Sequence, residues 1–285
     1  MRHAILASLG LALVAAPAHA GPKVWDQAWE VTTQADVHVI ANDAHVRVHS
    51  GPAGKVSVHA EYEFRHWGLF MGGGEPAVVF ERKGDQIWIT LHDPKAIGVI
   101  GGSYERFMCD VTVPPQLQLA VRTGDGAIDC DPAAGHIQLE TGDGAIRAHG
   151  LKGDIDVNSG DGRVTLEDID GHLRARTRDG HLIAAGRFDD LDLSTGDGRV
   201  EATVKPGSQP ASGWNVETGD GAVSIRIPHD LNTVIDARTK DGHIDVQLPI
   251  TVQGHHHELI GQLNDGGPSL RIRTGDGSIT LALSD

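Results

Sequence analysis

Apolar and polar residues alternate in short runs along most of this chain, and from residue 123 onward a recurring glycine turn separates the runs. The sequence TGDGAIDC at 123–130 recurs with substitutions, beginning at positions 141, 159, 177, 195, 218, 239 and 274. The first four steps are 18 residues long, and the later ones are 23, 21 and 35. A further glycine falls halfway through the regular steps, at Gly135, Gly153 and Gly171. Such self-similarity is typical of stacked supersecondary units.

The residue pattern within each repeat predicts two strands, one on each side of a tight turn. Ile137 and Leu139 alternate with polar residues before the turn at 141–144, and Ile146 resumes the pattern after it. Period-two alternation indicates strands with one buried face. The same phase places Thr141 on the inward side, where its hydroxyl is expected to bond turn backbone. The Gly-Asp-Gly that follows is expected to supply positive φ angles.

The outward residues support the same 18-residue register. If the coils stack in parallel, each residue lies about 4.8 Å from the residue 18 positions later. One outward column then reads His136, Asp154, His172 and Asp190, in which compatible charges alternate. The sequence therefore predicts an all-β fold, a parallel β-solenoid or single-stranded β-helix with coils of about 18 residues.

The first part of the mature chain predicts less regular strands. Residues 37–50, 54–64 and 84–92 each alternate, and Val24–Glu30 has a spacing that would also suit a short helical cap. No Pro/Ser-rich linker follows, so residues 21–285 are expected to form a single solenoid domain, irregular over 24–122 and repetitive over 123–285. Two insertions interrupt the pattern, RHWGLFMGGGEP at 65–76 and HDPKAIGVIGGSYER at 92–106.

Residues 1–20 have the pattern of a secretory signal peptide. Arg2 is a positive start, residues 5–16 are an apolar run, and Ala18-His19-Ala20 is a small-x-small cleavage site. The run is shorter than the ~20 apolar residues that span a bilayer, and no later segment reaches that length. The mature chain is expected to begin near Gly21, to have no transmembrane segment and to be periplasmic or secreted.

Charge and cysteine content narrow the function further. The 39 Asp and Glu outnumber the 24 Lys and Arg, and the net charge of −15 disfavours nucleic acid as a partner. Cys109 and Cys130 are the only cysteines, and alternation places both on the apolar side of their strands. In an oxidising compartment we expect a disulfide between them, with two buried free thiols as the alternative.

The whole pattern resembles a known family. VHVIANDAHVRVHS, CDVTVPPQLQLAVRTGDGAIDC, the repeated GDG turns and GQLNDGGPSLRIRTGDGSITL are similar to the bacterial putative-adhesin β-repeat family, over roughly residues 30–285. The resemblance implies a single-stranded β-helix-like fold in an exported or envelope protein, in a domain of unknown function. The family label implies no reaction. The two glycine-rich insertions and the HHH loop at 255–257 depart from the family pattern.

Two groups of residues suggest a metal site, and neither is expected to be one. The turn aspartates would stack in a column, which bound calcium could neutralise, but we expect them to be turn formers whose side chains are splayed into water. Arg178 and Lys240 would also pair locally with this column. Adjacent histidines at 255–257 seldom preorganise a site. The column comprises Asp125, Asp143, Asp161, Asp179, Asp197, Asp220, Asp241 and Asp276.

No catalytic or cofactor signature occurs, so no catalytic residue, metal or cofactor is predicted. We expect a non-catalytic, exported structural or interaction protein, adhesin-like, of the bacterial envelope. It would contact an unknown envelope protein or surface component as a monomer or weak homo-oligomer. The alternatives are a calcium-stabilised adhesive β-roll and a glycan-active β-helix enzyme. The insertions are predicted either to form a partner patch or to cap the solenoid, through Trp67, Leu69, Phe70, Met71, Ile97, Val99 and Ile100.

Overall fold

A computed structural model describes residues 21–32, 35–71, 74–94, 98–255 and 257–284. Within them the chain forms 23 strands and no helix. None of the described residues belongs to a helix that could cross a membrane. The predicted signal peptide at 1–20 lies outside the described residues. The all-β prediction is confirmed for the part that the structure describes.

The strands fall into an irregular first group and a repetitive second group. The first group comprises β1 Lys23–Glu30, β2 Asp36–Ile40, β3 His45–Ser50, β4 Lys55–Met71, β5 Ala77–Lys83, β6 Gln86–His92 and β7 Gly98–Val113. The second begins with β8 Gln116–Thr123, β9 Ile128–Asp131, β10 Ala134–Thr141, β11 Ile146–His149, β12 Lys152–Ser159, β13 Val164–Thr177, β14 Leu182–Thr195 and β15 Val200–Val204. It ends with β16 Trp214–Thr218, β17 Val223–Ile227, β18 Thr233–Thr239, β19 Ile244–Gln247, β20 Thr251–His255, β21 Glu258–Leu263, β22 Ser269–Thr274 and β23 Ile279–Leu283.

The strands form two faces that meet at the turns. The pre-turn face has the order β5-β6-β2-β8-β10-β12-β13-β14-β16-β22-β18-β21-β20. The post-turn face has the order β1-β4-β7-β3-β9-β11-β13-β14-β15-β17-β23-β19. The long strands β13 and β14 contribute to both faces. The apolar side chains of both faces meet in one core.

The predicted 18-residue register is confirmed in the middle of the molecule. Ile137 pairs with Ile155, which pairs with Leu173, all in parallel strands. The outward column also aligns as predicted, in the order His136, Asp154, His172 and Asp190. Each inward Ile or Leu therefore packs against its equivalent in the next coil, which is how short strands acquire a continuous core.

At both ends the stacking order differs from the chain order, which the sequence analysis did not foresee. The coil β2–β3 lies between β6–β7 and β8–β9. The last coil, β22–β23, lies between β16–β17 and β18–β19. Antiparallel pairs occur only outside the stacked coils, at the two ends of the molecule, among the described residues. They involve β1, β4, β5, β20 and β21. The description as a parallel solenoid is therefore right for the middle and wrong for the ends.

Residues Val24–Glu30 form part of strand β1 rather than a helical cap. Trp25 and Trp29 are half-buried, whereas the residues between them are exposed. A spacing of four residues puts two side chains on one face of a helix and equally on one face of a strand, so the spacing does not discriminate. Pairing with β4 decides the outcome, since all eight residues of β1 find antiparallel partners there.

The glycines of the turns serve close packing rather than positive φ, which corrects the prediction. Within the described residues, none of the Gly-Asp-Gly glycines has φ in the left-handed region. A Cβ on Gly144 would instead lie 2.0 Å from the carbonyl oxygen of Gly126 in the preceding coil. A Cβ on Gly162 would lie 1.8 Å from that of Gly144. The halfway glycines do have positive φ, as at Gly153 with φ 108°.

The inward hydroxyls bond the turns as predicted. Thr141 Oγ1 lies 3.1 Å from the Gly124 carbonyl oxygen and 3.0 Å from that of Gly126, and can donate to either. It also accepts from the backbone N–H of Gly144 at 3.2 Å. The same pattern recurs at Thr195, Thr218, Thr239 and Thr274. One buried hydroxyl thus links each turn to its neighbour in the stack.

Candidate functional site

Carboxylates line one edge of the stack, and we call this line the acidic ridge. Because the last coils exchange places, Asp276 lies between Asp220 and Asp241. At the other end the register adds Asp43, whose backbone N–H donates to Asp93 at 2.9 Å. Burial raises the pKa of Asp93; the hydrogen bond from the Asp43 N–H partly opposes this rise, and the Asp43 carboxylate adds to it. Since Asp43 and Asp93 lie outside the GDG phrase, the repeat gave no signal for them.

Cations meet the acidic ridge at two places. The guanidinium of Arg178 donates to Asp161 at 2.8 Å, and its Nε lies 3.8 Å from Asp179. Lys240 Nζ lies 3.5 Å from Asp241. The predicted local pairing is therefore present, although Arg178 bonds most closely to the preceding coil. The Asp161 and Asp179 side chains remain about half-exposed.

The described residues contain no group of three or more His, Cys, Asp and Glu side chains positioned to hold a metal ion. In the HHH loop, His256 lies outside the described residues, and so does the side chain of His255. The ridge aspartates occupy the turn positions that the repeat assigned to them.

The predicted disulfide between Cys109 and Cys130 is wrong. Both cysteines are free and fully buried. Strand β3 lies between them, pairing Val46 with Cys109 on one side and Val48 with Cys130 on the other. Two strand spacings, about 9.6 Å, exceed the Cα separation that a disulfide can bridge. Alternation correctly placed both thiols inside but could not show that a third strand separates them.

Neither thiol is suited to chemistry. Burial raises the pKa of Cys109 to about 12 and that of Cys130 to about 12. The thiolate, which is the nucleophile and the metal ligand, is therefore scarce at neutral pH. Both residues behave as small apolar core residues.

A shallow groove of about 530 Å³ crosses the pre-turn face along the predicted His–Asp column. The loop 205–213 borders it, and Ser212 donates to Asp190 at 2.8 Å. Donors converge on one carboxylate in its floor: Arg174, Arg176 and Asn215 each lie 3.2–3.4 Å from Asp192. The groove was not predicted, although the 23-residue step after position 195 signals the extra residues that border it.

The two insertions form one structure. Residues 66–71 of β4 pair with residues 98–103 of β7, placing Leu69 opposite Ile100 and Phe70 opposite Val99. We call these two paired segments the arm. Ile97, which the sequence analysis grouped with them, lies outside the described residues.

The neighbouring strands do not accompany the arm. Strand β1 pairs with β4 only as far as Tyr62, and β3 pairs with β7 only from Met108 onward. Among the described residues, the arm strands therefore pair only with each other. A cross-strand signal for this ribbon was present in the sequence, since Glu63 lies opposite Arg106.

The base of the arm is tied to the core by Tyr62. Its hydroxyl donates to Glu105 at 3.0 Å. Burial, and then this hydrogen bond, raise the pKa of Tyr62 above its ordinary range, so the hydroxyl remains a donor at any physiological pH.

Aromatic residues outside the arm close the N-terminal end of the core. The rings of Trp29 and Phe80 meet edge to face at 5.6 Å, and this contact joins the last strands of the two faces. Phe107 contacts both Trp25 and Tyr62, with ring centroids 6.0 Å and 5.4 Å apart. Capping, one of the two roles predicted for the insertions, is performed here partly by Trp25 and Trp29 of the segment that the sequence analysis considered as a helical cap, in the form of a strand.

Comparisons with known proteins give one family match and several distant structural likenesses. The model of the Toastrack DUF4097 family matches residues 28–282. No curated protein matches the sequence. A "putative adhesin" from Bacteroides fragilis is 9% identical with a TM-score of 0.41, over 91% of this chain and 97% of its own. A "putative lipid binding protein" from Parabacteroides distasonis is 11% identical with a TM-score of 0.38, over 92% and 97%. A "putative cell adhesion protein" from Clostridium sporogenes is 13% identical with a TM-score of 0.30, over 93% and 100%.

Proposed function

The chain belongs to the Toastrack DUF4097 family, and from this premise we propose that it is a non-catalytic, adhesin-like structural or interaction protein of the bacterial envelope. In this proposal residues 1–20 direct export and are removed, and residues 21–285 act as one solenoid domain. The stacked coils are the scaffold, and the arm is the element that makes contact. The acidic ridge has a turn-forming role.

The arm is the observation that carries the proposal. The coils between residues 116 and 204 repeat one plan with short turns, as expected of a scaffold. The arm departs from that plan, and its sequence, WGLFM at 67–71 and GVIGGS at 98–103, is mostly apolar and glycine-rich. Functional segments are commonly irregular insertions positioned by a rigid framework.

Two features support a role without catalysis. The two thiols are buried with raised pKa values, as described above, so they are poor nucleophiles. The groove carboxylate with the most partners, Asp192, is already bonded to two guanidinium groups and an amide. A general acid or base needs a free path to its substrate, and this side chain has donors on several sides.

The proposal is tested with the mature chain, residues 21–285, cross-linked to isolated bacterial envelopes. The double variant Trp67→Ser, Phe70→Ser should lose saturable binding while keeping the thermal melt of the unmodified chain. The matched control is Val79→Ser, which alters an exposed apolar residue on strand β5 and should bind normally. Equal binding by both variants would contradict a contact role for the arm. Depolymerisation of any polysaccharide in a broad screen would contradict the non-catalytic assignment.

A further inference from the structure

We infer that the arm binds a second copy of this chain, by antiparallel pairing of residues 66–71 of β4 with the same residues of the partner. This inference rests on the proposed function, because it names the partner of the contact element. The result would be a two-fold dimer in which the two arms form one four-stranded sheet, in the order β7-β4-β4-β7.

The first step of the argument is the state of the arm alone. A two-stranded ribbon is marginally stable in water, and a third strand or a packing surface is normally required. Strand β1 supplies a third strand for β4 only up to Tyr62. Pro22 immediately precedes β1 and has no N–H to extend the ladder further. Along residues 66–71, which β1 does not reach, the strand pairing of the described residues is with β7 alone.

The second step is a comparison with the two other terminal strands at the N-terminal end, β1 and β5. Natural proteins protect exposed strand edges with charged residues, especially lysine, or with proline. Strand β5 ends in Glu81, Arg82 and Lys83, and strand β1 carries Lys23, Asp26 and Glu30. Residues 66–71 and 98–103 contain no Lys, Arg, Asp, Glu or proline, and His66 is their one titratable residue. The arm is thus an edge without the usual protection against pairing.

The third step chooses between a lipid surface and a protein strand. Lipid cannot satisfy the N–H and C=O groups of an open sheet edge, so unclosed ribbons are not stable within the hydrocarbon. Another strand satisfies these groups directly. A second copy presents an identical unprotected edge, which is self-complementary about a two-fold axis.

The fourth step decides which edge pairs. On the post-turn face the order β1-β4-β7-β3 places the outer edge of β4 away from the coil stack, whereas the outer edge of β7 looks toward the stack. A second molecule can therefore approach β4 without meeting the coils. Pairing all six residues 66–71 about the axis would place Gly68 opposite Leu69 of the partner subunit.

The test is the oligomeric state of the mature chain by sedimentation velocity across a range of loading concentrations. The unmodified chain should dimerise, and Leu69→Lys with Phe70→Lys should weaken the dimer Kd about tenfold or more, because charge protects an edge. The matched control, Val79→Lys, adds a charge to a terminal strand outside the arm and should dimerise like the unmodified chain. Thermal melts of all three proteins should coincide, which separates edge protection from misfolding.

An unmodified chain that is monomeric at every concentration would overturn the inference, as would a dimer that the arm lysines do not weaken. Arm-dependent binding of a monomer to phosphatidylglycerol–phosphatidylcholine vesicles would overturn it in favour of a lipid partner. The envelope experiment distinguishes the two proposals. A monomer whose envelope binding still depends on the arm would remove the dimer and keep the proposed function. A dimer that depends on the arm, in a chain that does not bind envelopes, would keep the dimer and remove the proposed contact with the envelope.

Discussion

Between residues 116 and 204 nearly every strand pairs with the strand 18 positions later, whereas at both ends the neighbours come from distant parts of the chain. Thr195 pairs with Thr218 after a short insertion, but residues 214–217 pair next with 270–273. In the middle, local sequence repetition and stacking order coincide. At the ends, one coil lies between two coils that are not its neighbours in sequence order, and antiparallel strands pair outside the stacked coils.

The difference shows what each region depends on. The middle relies on identical small residues at identical places, because backbones of successive turns nearly touch. The N-terminal end relies on large side chains, such as Trp29 and Phe80, that cover the exposed end of the core. Added volume at the turns should therefore be costly in the middle, whereas the N-terminal end should depend on its large aromatic side chains.

The largest effect is expected from a methyl group at a middle turn. Gly162→Ala should destabilise the fold by about 3 kcal/mol or more, because the new Cβ would lie 1.8 Å from the carbonyl oxygen of Gly144. The matched control is Gly74→Ala near the N-terminal end, where a Cβ would have no atom within 4 Å. Urea unfolding measures both, and equal midpoints for the two variants would refute the close-packing explanation.

Removal of core volume should also affect the middle more than the C-terminal end. Leu139 is fully buried between two coils, so Leu139→Ala should cost about 2–5 kcal/mol. Ile244, in the last strand of the post-turn face, is only partly buried and should cost clearly less when changed to Ala. Chemical denaturation of the two variants provides the comparison, and an equal loss would mean that the end is as tightly packed as the middle.

The turn hydroxyls should contribute a smaller amount each. Thr141→Val keeps the shape but removes a group that bonds three backbone positions, and we expect a loss of about 1–3 kcal/mol. Thr165→Val, on an outward position of β13, serves as the control and should change little. Amide exchange at Gly144 should accelerate in the first variant alone. Unchanged protection there would show that the hydroxyl is dispensable.

A pH effect is expected at the N-terminal end. The hydrogen bond that His59 Nδ1 donates to the Asp26 carboxylate, opposed by a smaller desolvation effect, raises the pKa of His59 above its ordinary value. A raised pKa stabilises the fold below about pH 6.5, and this contribution is lost as the pH rises through the folded-state pKa. Because the pair joins β1 to β4, amide exchange in β1 should quicken with this transition. His59→Gln should remove that change, while His229→Gln in the loop before β18 should retain it.

No effect is expected from calcium. If the ridge aspartates are turn formers, EGTA and added calcium should leave the melting temperature of the mature chain unchanged. A rise on adding calcium that reverses with EGTA would support the calcium-stabilised roll instead. Asp143→Asn would then abolish the rise.

The sequence predicted the middle of the molecule well because its information there is local. Alternation fixes which residues face inward, and the step of 18 fixes which residues become neighbours, so Ile137, Ile155 and Leu173 could be aligned without coordinates. The stacking order at the C-terminal end could not be predicted in the same way. The phrases beginning at Thr218, Thr239 and Thr274 are nearly equivalent, so each fits beside either of the others.

Other differences between the sequence-based expectations and the structure arose because one residue pattern has two physical explanations. Glycine in the GDG turns indicated a need for backbone freedom, but the need at Gly162 is space for a neighbouring carbonyl. The alternation of apolar and polar residues correctly predicted that Cys109 and Cys130 are buried, but it does not give the distance between the two thiols. The arm was recognised as two departures from the repeat, and only the pairing of Glu63 with Arg106 hinted that they join.

The exchanged places of the last coils constrain the order in which this protein can be completed. Strands β18 and β19 are made before β22 and β23, yet they lie further from the middle of the stack. Strand β22 lies between β16 and β18, and β23 lies between β17 and β19. Strand β18 can pair with β21 as soon as both are made, but until synthesis has reached Leu283 the coil β18–β19 lacks its neighbour on the side that faces β16–β17. Strands β18–β23 therefore complete their packing in one late, cooperative step, in which the last coil made takes its place between two coils that were made before it.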